Sequence, residues 1–246
     1  THEGQTGGTY IDKWADGVQA DNGSKVTVDG NVTSEKGRAI DSHGSEVTVN
    51  GNVHSEKESA INARDGSTIT IDGSVSSNVG ISLGGIIETT DSTIKITKDV
   101  KAKNAWGILA GPGTDIEVGG NVSSEKEAVY ISGKDALIVV DGNVYSTKGC
   151  AMDILEQAEA TVKGDVTGNK LAIWMDNCSK LQSLGKISSN DVGILLSLYD
   201  AQGTGELDLG TIDAQTAISI NYGEYKDIDK ILAALPEMTV YKMNAD

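Results

Sequence analysis

The sequence predicts an all-β fold, a single parallel β-solenoid. Three observations carry the prediction. A motif of the form V-T-V-D-G-N-V recurs at nearly constant spacing, and a short apolar element follows most copies. The 246 residues also include 30 glycines, two prolines and no phenylalanine. Glycine-rich, proline-poor sequence with β-branched runs and a fixed period is the signature of stacked coils.

The motif reads VTVDGNV from Val26, VTVNGNV from Val47, ITIDGSV from Ile69 and IKITKDV from Ile94. It continues as IEVGGNV from Ile116, IVVDGNV from Ile138, ATVKGDV from Ala160 and a degraded LQSLGKI from Leu181. Successive starts differ by 21, 22, 25, 22, 22, 22 and 21 residues. A further relative, LDLGTI, begins at Leu207. The second element reads RAIDS at Arg38, SAINA at Ser59, WGILA at Trp106 and AVYIS at Ala128. It returns as CAMDI at Cys150, LAIWM at Leu171, VGILL at Val192 and TAISI at Thr216.

Each part of the unit has a physical reading. Val26 and Val28 alternate with Thr27 and Asp29, the period of a strand with one buried face. Asp29-Gly30-Asn31 is turn chemistry, because Gly and Asn tolerate φ > 0. Val32 points inward, and Ser34 two residues on shares its side. The position of Ser34 recurs as Ser55, Ser77, Ala102, Ser124, Ser146, Gly168 and Ser189, all small, which predicts a tight corner. Ala39-Ile40 then opens another strand.

The unit is thus three short strands and three bends. It buries its apolar face only by stacking on its neighbours. About nine coils of ~22 residues at ~4.8 Å each make a rod ~45 Å long. A lumen lined by Val and Ile explains the absence of phenylalanine. Val28→Lys is expected to unfold the local stack, because an unpaired charge in the lumen costs several kcal/mol. A β-sandwich is the competing arrangement, and a period this regular disfavours it.

The repeats resemble right-handed parallel β-helix proteins of the pectin-lyase-like architecture. Units of the type V-T-V-x-G-N-V are most similar to bacterial cell-surface and adhesin-type β-solenoids. The resemblance spans nearly the whole chain. It implies the right hand, an extracellular or cell-surface location, and a spacer or adhesive role.

The ends are expected to close the stack. Asp16-Gly17-Val18 lies 22 residues before Arg38-Ala39-Ile40 and forms a partial first coil, with Tyr10, Ile11 and Trp14 plugging that end. Asp227 to Leu235 breaks the β pattern. Ile228, Ile231, Leu232 and Leu235 share one helical face, Asp227 suits the N-cap and Pro236 follows the stop. A last strand, MTVYKM, follows from Met238. The organisation is therefore an N-terminal cap over 1–22, repeats over 23–222 and a C-terminal cap over 223–246, one domain overall.

Charge and motifs narrow the function. With 20 Lys and Arg against 36 Asp and Glu, the net charge is −16, which disfavours nucleic acid and anionic membranes as partners. No apolar run approaches the ~20 residues of a membrane span. His2, His43 and His54 have no partner at a motif spacing, and no metalloprotease, nucleophile-elbow or phosphate-loop pattern is present. No cofactor, metal site or catalytic residue is assigned, and the chain is read as non-enzymatic. Cys150 and Cys178 occupy different points of their coils and are expected not to be bonded.

Two columns carry candidate chemistry. The position of Asp29 recurs as Asn50, Asp72, Thr97, Gly119, Asp141 and Lys163. Asp29 and Asp72 stand two coils apart, ~9.6 Å, near the upper separation of an inverting glycosidase, yet Asp and Asn also suit that turn for local reasons. The position of Asp41 recurs as Asn62, Ser82, Leu109, Tyr130, Asp153, Trp174 and Leu195. Tyr130 and Trp174 are expected to point outward on one sheet face, with Trp106 nearby, where aromatics stack on sugar rings or a protein partner. The expected partners are a glycan or a host or cell-surface protein, with the chain a monomer or part of a longer one. A polysaccharide lyase or glycoside hydrolase is the alternative, and an end-to-end assembly module the third reading.

Overall fold

The computed structural model describes residues 10–12, 16–78, 85–176, 178–197, 205–221 and 239–241. They form a parallel β-solenoid of about eight turns of about 22 residues, with no helix among them. Three ten-stranded sheets run the length of the rod. In each sheet the neighbouring strands are one coil apart in sequence, so every pairing is parallel.

Sheet I holds the V-T-V strands, from β3 (Lys25–Val28) through β6 (Glu46–Val49) and β9 (Thr68–Ile71) to β30 (Thr239–Tyr241). Sheet II starts with β1 (Tyr10–Asp12) and continues through β4 (Val32–Ser34), β7 (Val53–Ser55) and β10 (Val75–Ser77). Sheet III holds the second element, from β2 (Val18–Asp21) and β5 (Ile40–His43) to β29 (Thr216–Asn221). The expected last strand joins sheet I, where β30 pairs with β27 (Glu206–Leu209), and Tyr10 and Ile11, expected as an end plug, lie instead in strand β1, which pairs with β4. Trp14 and the expected helix at 227–235 lie outside the described residues.

Like side chains stack in columns because the register places equivalent residues opposite one another. Val47 meets Ile69, Ile69 meets Ile94 and Ile94 meets Ile116. All four are fully buried, and burial of such side chains stabilises by roughly 1.5–3 kcal/mol each. Val26 and Val28 are only half-buried, because β3 is the first strand of sheet I and no described strand stacks on its outer side. In sheet I the fully buried side chains therefore begin at Val47 and Val49, one coil beyond Val28, whereas Val32 of sheet II and Ile40 of sheet III are already fully buried.

The D-G-N turn has a different cause from the one its composition suggests. Gly30 has φ of 140°, but Gly51, Gly142 and Gly164 do not have positive φ. Their glycine is required by stacking, since a Cβ on Gly51 would overlap the Gly30 carbonyl one coil below. The asparagine beside it forms a ladder. Asn31 Oδ1 accepts the Asn52 backbone N–H at 2.8 Å, and Asn52 Oδ1 accepts that of Ser74 at 2.9 Å. Asp99, Asn121, Asn143 and Asp165 repeat the bond up the rod.

The Ser corner is tight and also hydrogen-bonded. Ser55 is fully buried, its Oγ donates to the Gly37 carbonyl at 2.9 Å, and it accepts the Glu58 N–H at 3.1 Å. Ser146 does the same with the Lys126 carbonyl and the Gly149 N–H. A single hydroxyl thus satisfies two backbone groups that a corner would leave orphaned.

Candidate functional site

The outer face of sheet III changes character along the rod. Near the N-terminal end it is polar and self-satisfied. Asp41 and Asn62 are buried, and Asn62 Nδ2 donates to Asp41 Oδ1. Arg38 and His43 approach Asp41 at 3.4 and 3.5 Å, and Arg64 donates to Asn62 at 3.1 Å. The next member of this column is Glu88, which pairs with Asn62 and Leu109, and not Ser82. The insertion behind the 25-residue step precedes β11 (Gly85–Thr89), so counting forward from Asn62 falls short.

Beyond Glu88 the column takes on aromatic side chains. Its members are Leu109 on β14 (Trp106–Ala110), Tyr130 on β17 (Val129–Ser132), Asp153 on β20 (Met152–Leu155) and Trp174 on β23 (Leu171–Asp176). Tyr130 and Trp174 are half-buried between inward neighbours that are fully buried, which places both rings on the outer side. Trp106 sits three residues before Leu109 and stacks on the Tyr130 ring, with centroids 5.6 Å apart and planes within 11°. Trp174 Nε1 donates to Ser197 Oγ of the following coil at 2.8 Å.

Asp153 stands between the two aromatics, one rung from each. It is 7% exposed, and its Oδ1 has no hydrogen-bond partner. Burial pushes its carboxyl up to about 6, against the hydrogen bond from Cys150 and with the help of the Glu127 charge. The Cys150 thiol is itself pushed well above its usual range, by burial first and then by Asp153. Its Sγ lies 3.1 Å from the Met152 carbonyl and 3.2 Å from that of Ala172, and neither Cys150 nor Cys178 is bonded to another cysteine. A raised carboxyl beside an unreactive thiol suits binding or proton holding better than nucleophilic attack.

The three aromatics predicted from sequence are therefore on one face, and two of them touch. The spacing did not show that Asp153 is sunk between them. The only sequence signal was its place in the same column.

The other candidates are structural. Asn50 Nδ2 donates to Asp29 at 2.6 Å, Thr97 Oγ1 donates to Asp72 at 3.0 Å, and Lys163 pairs with Asp141 at 2.7 Å. That column is an exposed ladder between coils. The exposed pairs Lys25–Glu46, Lys95–Glu117 and Lys180–Glu159 link sheet I coils in the same way and are screened by solvent. Lys148 likewise pairs with Glu125 of the preceding coil at 2.5 Å.

His54 does find partners, one on the next coil and one nearby. Its Nδ1 lies 2.9 Å from Ser76 Oγ and its Nε2 lies 3.1 Å from Glu56 Oε1. Asn78 also donates to Glu56, and its hydrogen bond is the main reason that this carboxyl sits below its usual range. The three residue types are those of a nucleophile relay. Ser76 lies mid-strand in β10, between paired strands on both sides, where backbone N–H groups are engaged in ladders and do not converge on a substrate oxygen.

Among the described residues, no group of three or more His, Cys, Asp and Glu is placed to hold a metal ion, and no helix is long and apolar enough to cross a membrane. No protein family, curated protein or solved structure matches this chain.

Proposed function

We propose that the chain is a non-enzymatic extracellular module of a bacterial surface protein, an adhesin-like β-solenoid of the right-handed, pectin-lyase-like type. Its stiff acidic rod displays the outer face of sheet III, and that face binds glycans. The observation that carries the reading is the stacked Trp106–Tyr130 pair with Trp174 two coils on. Flat rings at coil spacing match the repeat of a sugar chain laid along the rod, and half-buried rings give up little side-chain entropy on binding.

The alternative is a polysaccharide lyase or glycoside hydrolase. One observation favours it, the Asp153 carboxyl held at about 6, where a general acid works at near-neutral pH. A single screen separates the two. Plant, host and bacterial polysaccharides are tested for binding and for product release, with Trp174→Ala in parallel and thermal melting to check its fold. Binding without products, weakened in the variant, supports the adhesive reading. Release of products from an acidic glycan overturns it in favour of the enzyme.

A further inference from the structure

We propose that the slot between Tyr130 and Trp174 takes the ammonium group of an amino sugar, with the Asp153 carboxylate as its counter-ion. The inference rests on the glycan-binding reading of this face and names the sugar class.

Three observations carry it. Asp153 is more than nine-tenths buried on the outer side of the sheet, and its Oδ1 has no partner. Asp41, in the same column five coils earlier, is also buried but meets Asn62, Arg38 and His43. Among the described residues, the groups acting on Asp153 include no cation. They are the Cys150 thiol on its own coil and the Glu127 carboxylate on the preceding one. On the following coil the Asp176 carboxylate is engaged by the N–H groups of Glu156 and Cys178. The third observation is how the rings are held. Tyr130 stacks on Trp106 of the preceding coil, and Trp174 bonds to Ser197 of the following one, so each ring is anchored on the side away from Asp153.

The chemistry of such a slot selects a cation. Two aromatic rings stand two rungs apart, ~9.6 Å, with a carboxylate between them. Aromatic faces attract ammonium groups, more strongly when both are desolvated. An ammonium brought against the Asp153 carboxylate neutralises a charge that burial otherwise penalises. A neutral hydroxyl offers one hydrogen bond and leaves the charge uncompensated. A uronate or sialate would place a third carboxylate beside Asp153 and Glu127. The net charge of −16 adds steering of cationic ligands toward the rod.

The test compares a β-1,4-linked glucosamine tetramer with its fully N-acetylated counterpart, which differs at the amine alone. Binding to the wild-type protein, Asp153→Asn and Trp174→Ala is measured by calorimetry near pH 6.2. The wild type is expected to bind the free amine about tenfold or more tighter than the acetylated tetramer. Asp153→Asn is expected to abolish that preference while still binding the acetylated form, and Trp174→Ala to weaken both. At about pH 4.5, where the amine stays charged and Asp153 is protonated, the wild-type preference is expected to shrink about tenfold. Equal affinity for both tetramers, or a preference that survives Asp153→Asn, overturns the ammonium site. If Trp174→Ala still weakens binding in that case, the glycan-binding face stands. If neither tetramer binds, the ammonium site falls, and the polysaccharide screen alone decides the face.

Discussion

Asn121 Oδ1 accepts the backbone N–H of Asn143, 22 residues on, at 2.9 Å. The bond closes one step of a ladder that climbs the edge of the rod beside the stacked glycines. Asn121→Ala leaves that N–H to solvent and is expected to cost about 1 kcal/mol. Gly142→Ala is expected to cost more than about 2 kcal/mol, because its Cβ would lie 2.5 Å from the Gly120 carbonyl oxygen, and two backbones cannot part without breaking the stack. Urea unfolding of both variants checks the order. A harmless Gly142→Ala would show that the coils are not in this contact.

The lumen predicts a position effect. Val49→Lys places a charge among fully buried side chains and is expected to abolish cooperative unfolding. Val28→Lys, one coil nearer the end and half-buried, lets the amine reach water and is expected to keep a cooperative transition. Circular dichroism melts of the two variants measure the difference. Equal damage from both would mean that the end is covered.

Ser183 is a polar residue in an apolar column. It pairs with Val162 below and Leu209 above, is fully buried, and its Oγ has no partner. Ser183→Val restores the residue type that the repeat places there and is expected to stabilise the fold by about 1 kcal/mol. A lower melting temperature in the variant would mean that the hydroxyl is satisfied.

Asp153 gives stability a pH dependence of defined sign. Burial raises its carboxyl from an ordinary 3.8 to about 6, so the folded state holds the proton more tightly than the unfolded one. Its contribution is fully present below pH about 4 and is lost as pH rises to about 6, on the order of 2–3 kcal/mol. Asp153→Asn removes this slope. Melting curves between about pH 4 and about pH 8 should show the variant gaining on the wild type as pH rises, and parallel curves would contradict the burial of the charge.

Much of this architecture was legible in the sequence, because each coil repeats the same problem. The period put Ile69 on Ile94 and Ile94 on Ile116, and the structure pairs them so. The small column at Ser55 and Ser146 is a corner, as its composition implies, although its hydroxyls also cap backbone groups. Residue type alone misled at Gly51, whose glycine relieves contact with a coil 21 residues away rather than a strained dihedral. The same distance hid the site. Tyr130, Asp153 and Trp174 could be aligned by counting, but the desolvation of Asp153 depends on how the rings above and below it are held. The partner of His54 is hidden in the same way, because Ser76 lies 22 residues on.

The parallel ladders also decide how the rod answers to force. Their hydrogen bonds point along its axis, so tension between the two ends loads the terminal coil first and the bonds open in sequence rather than together. Each coil that lets go exchanges ~4.8 Å of rod for ~75 Å of extended chain. A tether built this way yields by small, repeated extensions and keeps the coils beyond the break folded, with the sheet III face still on display.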